Sequence, residues 1–262
     1  LGEQGMAKVL SQREKREMMN ERERVTIEEK RYFVADPSRD FMTANGKVSK
    51  DDLAKPDGTL IKTNAGAELI LLSATFADAF ENLKRLPQAV IAKDSGMIIT
   101  TTGLGPDSIV VDAGAGSGWL ASALARVCKH VTTYEMREEF IQNVKNNIAL
   151  LGLKNISVKH GDFTKGIDEK DVDLITLDMP QPWDAMDAVM GSLKIGGYLV
   201  CYLPTLPQVM QQNAALRQSG KFLIMKNIEL IERPWHVEGK KVRPSSEGIG
   251  HTAFLIFARR IQ

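Results

Sequence analysis

The stretch Val110-Val111-Asp112-Ala113-Gly114-Ala115-Gly116-Ser117-Gly118 joins an apolar run of strand character to a helix-like run. Glycines at such a junction permit a tight turn and close backbone approach to a ligand, and open parallel sheets bind ligands at the carboxyl ends of their strands. The spacing narrows the choice of ligand. A dinucleotide fingerprint opening at Gly114 needs glycines at 114, 116 and 119, but position 119 is Trp119 and the third glycine is Gly118. That departure disfavours a nucleotide-dependent oxidoreductase, suits a nucleoside without a pyrophosphate, and makes S-adenosyl-L-methionine (AdoMet) the expected cofactor. Two acids fall where an adenosine would use them. Glu135 ends the next strand-like run, 21 residues beyond Gly114, where its carboxylate can accept from both ribose hydroxyls. Asp162, in His160-Gly161-Asp162-Phe163, can accept from the adenine amino group while Phe163 or Met136 packs on the ring. A third acid opens Asp178-Met179-Pro180-Gln181-Pro182-Trp183. Its prolines cannot continue a ladder and stiffen the loop, so Asp178 is a rigid carboxylate able to grip a substrate amine and to take up charge on a nitrogen being alkylated. Trp183 can stack on a base, although an aromatic at a helix start more often belongs to a core.

The elements that must hold these residues alternate regularly. Strand-like runs at 109–113, 130–134, 156–159, 172–177 and 198–203 are separated by helix-like runs to about 129, to about 151, over 184–193 and over 206–219, with a loop after the third. Two closing strand runs, 222–231 and 252–257, have no helix between them. The pattern predicts an α/β fold: a doubly wound, mostly parallel seven-stranded sheet with helices on both faces and an antiparallel C-terminal hairpin at one edge. This AdoMet-binding catalytic domain is expected over 87–262. A small β-rich N-terminal domain is expected over 32–86, where Asp36-Pro37, Asn45-Gly46, Pro56-Asp57-Gly58 and Asn64-Ala65-Gly66 punctuate short apolar pieces. Short helices are expected at 74–86 and 93–102. Residues 1–31, dense in alternating charge as in Arg13-Glu14-Lys15-Arg16-Glu17, read as a charged helical arm or the remnant of a tag.

Composition bounds the remaining possibilities. The 262 residues (29.0 kDa) are 43% hydrophobic and 26% charged, enough to bury a sizeable core, which excludes disorder throughout. A net charge of +1 gives no global field for a polyanion, so any nucleic acid must be held by a local patch. Cys128 and Cys201 sit in apolar runs, which suits a reducing, cytoplasmic setting. No run approaches the roughly 18 apolar residues of a membrane span, and the four histidines at 130, 160, 236 and 251 lack metal-ligand spacing, so neither membrane nor metal is expected.

These residues together resemble the tRNA (adenine-58, N1)-methyltransferases of bacteria and archaea, within the class I AdoMet-dependent methyltransferases; the number is the tRNA position. The resemblance covers most of the chain beyond about Asp40. It rests on Asp40-Phe41-Met42-Thr43, Lys84-Arg85-Leu86-Pro87-Gln88 leading to Lys93-Asp94, the glycine loop, Tyr134-Glu135, His160-Gly161-Asp162, the Asp178 loop, and Arg243-Pro244 with Gly250-His251-Thr252-Ala253-Phe254-Leu255. It implies AdoMet contacts at Gly114, Gly116, Ser117, Gly118, Glu135 and Asp162. Asp178 is implied as the catalytic acid, touching the cofactor's amino-acid end and the target adenine N6, and the segment around Gln88 as part of the cofactor lid. Trp183 and His251 are the expected substrate contacts, tRNA the expected substrate, and a homotetramer the expected assembly. Lys84, Arg85, Lys93, Arg233, Lys240, Lys241 and Arg243 could form a basic rim. Two positions depart from the family pattern: Gln181 stands where glutamate is usual, and Ile91-Ala92 where an aromatic or histidine precedes proline. The competing readings are a methyltransferase of the same fold acting on a protein or small molecule, and a non-catalytic tRNA-binding subunit.

Overall fold

Short apolar stretches separated by turns can bury one face only by pairing with distant neighbours, and the N-terminal strands do so. The computed structural model describes residues 7–19, 22–27, 29–84, 89–238, 241–246 and 248–262. It contains two compact units, Leu1–Leu83 with Leu150–Gly152, and Lys84–Ala149 with Leu153–Gln262. The first holds β1 (Lys8–Gln12), β2 (Lys15–Met19), β3 (Arg22–Ile27), β4 (Lys30–Val34), β5 (Phe41–Thr43), β6 (Gly46–Val48), α1 (Lys50–Leu53), β7 (Leu60–Lys62), β8 (Glu68–Ser73) and α2 (Phe76–Glu81). Its antiparallel sheet runs β4-β1-β8-β7. Leu10, Leu53, Ile61, Leu69 and Leu71 are buried at its centre, each worth about 1.5–3 kcal/mol.

The helical arm expected over 1–31 is corrected: its described residues form strands. The pairing of β2 with β3 places Glu17 opposite Arg24. A sequence of alternating charge is compatible with a hairpin as well as with a helix, and here the preceding β1 pairs with both β4 and β8. That partnership is invisible in a local window.

The second unit holds α3 (Ala92–Thr102), β9 (Ile109–Ala113), α4 (Trp119–Ala125), β10 (His130–Glu135), α5 (Glu138–Leu150), β11 (Ile156–His160), β12 (Val172–Leu177), α6 (Met186–Ser192), β13 (Leu193–Leu203), α7 (Leu206–Ser219), β14 (Phe222–Glu229), β15 (Trp235–Glu238), β16 (Lys241–Pro244) and β17 (Phe254–Arg260). Seven strands form one sheet in the order β11-β10-β9-β12-β13-β17-β14. The first five are parallel, and β17 lies antiparallel between β13 and β14. Successive residues alternate between faces. Val111, Ile175, Leu199 and Ile256 enter one buried cluster, while Val110, Leu174, Val200 and Phe257 enter the other. The sheet is therefore covered on both sides, as the near-continuous apolar strands require. The pairing of β15 with β16 was not foreseen from the sequence.

The chain winds from β9 outward through β10 and β11, then returns to place β12 on the other side of β9. Such a switch point opens a crevice at the carboxyl ends of the strands. Ala113 pairs with both Tyr134 and Leu177, so Gly114, Glu135 and Asp178 leave the sheet at one level.

Candidate active site

The glycine loop turns on hydrogen bonds from its own backbone. Gly114 N and Ala115 N both donate to the Tyr134 carbonyl at 3.0 Å, and Asp178 N donates to Ala113 O at 2.8 Å. Gly114 has φ +95°, a region side chains avoid. A Cβ there would sit 2.9 Å from the Asp178 carbonyl carbon and closer still to its oxygen. Gly118, at φ +76°, turns the loop into α4. The loop amide of Gly116 donates to Glu135 Oε2 at 2.9 Å, while Arg137 donates through its backbone N (3.0 Å) and Nε (3.3 Å) to Glu135 Oε1. Glu135 is thereby fixed although only 4% exposed. Asp162 caps the 3-10 turn Phe163–Lys165 by accepting from Thr164 N and Oγ1, and these bonds hold its carboxyl below the usual range. Phe163 meets Tyr134 edge-on at 5.9 Å.

These groups border a cavity of about 580 Å³, within the range that takes cofactor-sized ligands. Its residues fit AdoMet on three observations. Ser117 Oγ is buried with no hydrogen-bond partner, which leaves a donor for a ligand. The glycine cradle is closed to side chains at position 114. The flanking groups are carboxylates, suited to ribose hydroxyls and to a ligand carrying positive charge. Glu135→Ala should weaken AdoMet binding about 10- to 100-fold in calorimetric titration, and unchanged affinity would remove Glu135 from the ribose role.

Acidity is concentrated beneath the cavity. Asp112, 1% exposed, accepts from Thr133 Oγ1 and Thr176 Oγ1 at 2.7 Å each, and burial pushes its pKa up to about 6. Asp178 is pushed up to about 8, first by burial, then by the like charges of Asp112 and Glu135, with Arg137 opposing. A cation in the cavity favours its ionised form. The folded protein holds a proton that the unfolded chain releases near its ordinary 3.8, so this group's contribution to stability falls as pH rises from about 4 to about 8 and is level above. Asp178→Asn removes that slope. Its Tm advantage over the wild type should widen between about pH 5 and pH 8 and then stay constant in thermal melts; a gap independent of pH would show an ordinary carboxyl.

The structure brings Gly114, Gly116, Ser117, Glu135, Met136, Asp162, Phe163 and Asp178 to one cavity wall. Gly118, Trp183 and His251 do not line it, and Gln88 lies outside the described residues. His251 contacts Glu229 Oε1 through Nδ1 (2.6 Å) and the Pro204 carbonyl through Nε2 (2.8 Å). Both partners are acceptors, and the imidazole pKa is raised above its ordinary value, chiefly by the bond to Glu229. Lys93 is not an open rim cation: it is bound to buried Asp94 at 2.8 Å and to Thr252 Oγ1 at 2.7 Å. Arg233 and Arg243 are exposed.

Sequence reasoning missed Asp112, Arg137 and Gln208. An acid inside the apolar run Val110-Val111-Asp112-Ala113 and the Thr205-Leu206-Pro207-Gln208 helix start were the available signals. Among the described residues no cluster of His, Cys, Asp or Glu is placed to hold a metal, and no helix is long and apolar enough to cross a membrane.

A family model described as tRNA methyltransferase complex GCD14 subunit matches residues 79–245. A tRNA (adenine(57)-N(1)/adenine(58)-N(1))-methyltransferase of Methanocaldococcus jannaschii is 33% identical, over 88% of this chain and 91% of that protein. A tRNA (adenine(58)-N(1))-methyltransferase of Thermus thermophilus is 30% identical, over 78% of this chain and 81% of its own. Among solved structures, a SAM-dependent O-methyltransferase of Thermotoga maritima superposes with a TM-score of 0.80 at 29% identity, covering 99% of this chain and 94% of that one.

Proposed function

The chain belongs to the tRNA methyltransferase complex GCD14 subunit family, and on that premise we propose that it methylates N1 of adenosine 58 in the tRNA T-loop, with AdoMet as methyl donor. The observation that carries the reading is Asp178, held on a proline-stiffened loop at the switch point and lining the cavity that fits AdoMet.

Bound AdoMet supplies an electrophilic methyl group on a sulfonium. Gly114, Gly116 and Ser117 would hold its amino-acid end, Glu135 its ribose, and Asp162 with Phe163 and Met136 its adenine. Asp178 accepts from the target N6–H and so orients the N1 lone pair. As N1 becomes alkylated the base gains positive charge, which the Asp178 carboxylate stabilises without having to remove a proton. The target base must leave its stack to reach the cavity. Trp183, which ends the Asp178 loop, and His251, at the Pro204 turn, lie outside the cavity and meet the tRNA beyond its mouth in this reading. Exposed Lys84, Arg233 and Arg243 contribute phosphate contacts. The protein works as a homotetramer in the cytoplasm, which supplies several such basic rims at once.

The test is transfer of labelled methyl to an unmodified tRNA transcript and to transcripts with guanosine at position 58, at 57, or at both. Transfer that depends on adenosine 58 supports the reading, and residual transfer to adenosine 57 would align the chain with its archaeal relative's name. The O-methyltransferase name of the Thermotoga protein supports a second reading, transfer to a small-molecule hydroxyl; retained AdoMet binding with no transfer to any transcript would favour it.

A further inference from the structure

Asp178 is useful only if its loop is held in place, and neither end of Met179-Pro180-Gln181 is part of a helix or strand. Backbone bonds hold its two ends, Asp178 N to Ala113 O at 2.8 Å and Asp184 N to Gln181 O at 3.1 Å, and its middle is supported from α7. Gln208 Nε2 donates to the Pro180 carbonyl at 2.9 Å, while Gln208 Oε1 accepts from Thr205 N at 3.2 Å and Thr205 Oγ1 at 2.8 Å. One amide group thus joins the Asp178 loop to the turn that starts α7. That turn is fixed from its other side, where His251 contacts the Pro204 carbonyl and Glu229. Pro180, Pro204, Thr205, Gln208 and Asp178 border the same cavity.

We propose that Gln208 is a positioning residue for methyl transfer, bracing the Asp178 loop through the Pro180 carbonyl, a role that rests on the methyltransferase reading above. Pro180 lacks an N–H, so its loop cannot be tied at that residue by backbone donation; its carbonyl is the available tether, and only a donor such as the Gln208 amide can hold it. The Gly-His-Thr segment belongs to the same device. It acts on the loop through Pro204, Thr205 and Gln208 without itself reaching the cavity.

Two substitutions separate the brace from the helix start. Gln208→Glu keeps an acceptor for Thr205 but sets a carboxylate against the Pro180 carbonyl, whereas Gln208→Ala removes both ends. Gln211→Ala, exposed one turn further along α7, is the control. The measurements are kcat and KM for tRNA, AdoMet affinity by calorimetry, and hydrogen exchange of the 178–185 segment in the protein without ligand. Both Gln208 variants should lose about 10- to 100-fold in kcat, keep AdoMet affinity within about threefold and exchange faster at 178–185, with the control unchanged. A Gln208→Glu variant with wild-type kcat and exchange would overturn the proposal, since only the helix start would then matter. If the wild type itself transfers nothing to tRNA, the functional reading fails while the exchange data still decide the brace: unchanged protection at 178–185 in both variants overturns it.

Discussion

Asp178→Ala is expected to lower methyl transfer about 10²- to 10³-fold, the loss seen when a fixed charge aimed at a developing charge is removed, while AdoMet affinity changes far less than in Glu135→Ala. The division follows from position. Glu135 is bonded into the glycine loop through Gly116, so its loss disturbs the cradle. Asp178 enters from the neighbouring strand through its backbone bond to Ala113, and no side-chain hydrogen bond ties its carboxyl to the cradle. Burial and the charges of Asp112 and Glu135 keep that carboxyl poorly ionised until a cation shares the cavity. Steady-state kinetics beside calorimetric titration of each variant check the assignment: equal losses of turnover and of affinity in both would erase the distinction.

Among the described glycines, Gly114→Ala should add the most damaging single methyl group. It meets two penalties at once, a backbone at φ +95° and an overlap with the Asp178 carbonyl. The carbonyl cannot retreat freely because Asp178 N is bonded to Ala113 O. Relief requires β9 and β12 to part at their carboxyl ends, which opens the crevice itself. The expected loss is about 2–4 kcal/mol of stability together with AdoMet binding, read by denaturant melts and titration. Gly116→Ala is the informative comparison. Its φ of +52° lies in the small left-handed region, and its nearest neighbour would be 4.0 Å away, so a cost of about 1 kcal/mol and retained binding are expected. Similar damage from both substitutions would mean that glycine flexibility, not the contact with Asp178, matters.

What the sequence disclosed was local chemistry in a regular frame. The apolar runs at 109–113 and 172–177 coincide with β9 and β12, because strands buried on both faces leave an unbroken apolar signature. Glu135, Asp162 and Asp178 were legible because each follows such a run, and the switch-point geometry does the rest. Three kinds of information were hidden. The charged segment that became β2 and β3 is compatible with helix or hairpin, and the pairing of the preceding β1 with β4 and β8 is invisible in a local window. The pairing of β15 with β16 has the same character. Gln208 gains its meaning from Pro180, 28 residues earlier, and Asp112 from Thr133 and Thr176 on two other strands. Side-chain partnerships of this range depend on packing, which no periodicity records.

The place of β17 inside the sheet has a consequence for biosynthesis. During translation β13 and β14 emerge before their shared neighbour, and the 24 residues between Glu229 and Phe254 take about 1 to 5 s to add at ordinary elongation rates. For that interval β14 has no partner in the sheet and β13 presents an open edge beside Tyr202 and Leu203, a template for pairing with another nascent chain. The seven-stranded sheet is therefore finished last and from within, and a chaperone that shields β13 until residue 260 has left the ribosome should raise the yield of folded protein without altering the folded enzyme.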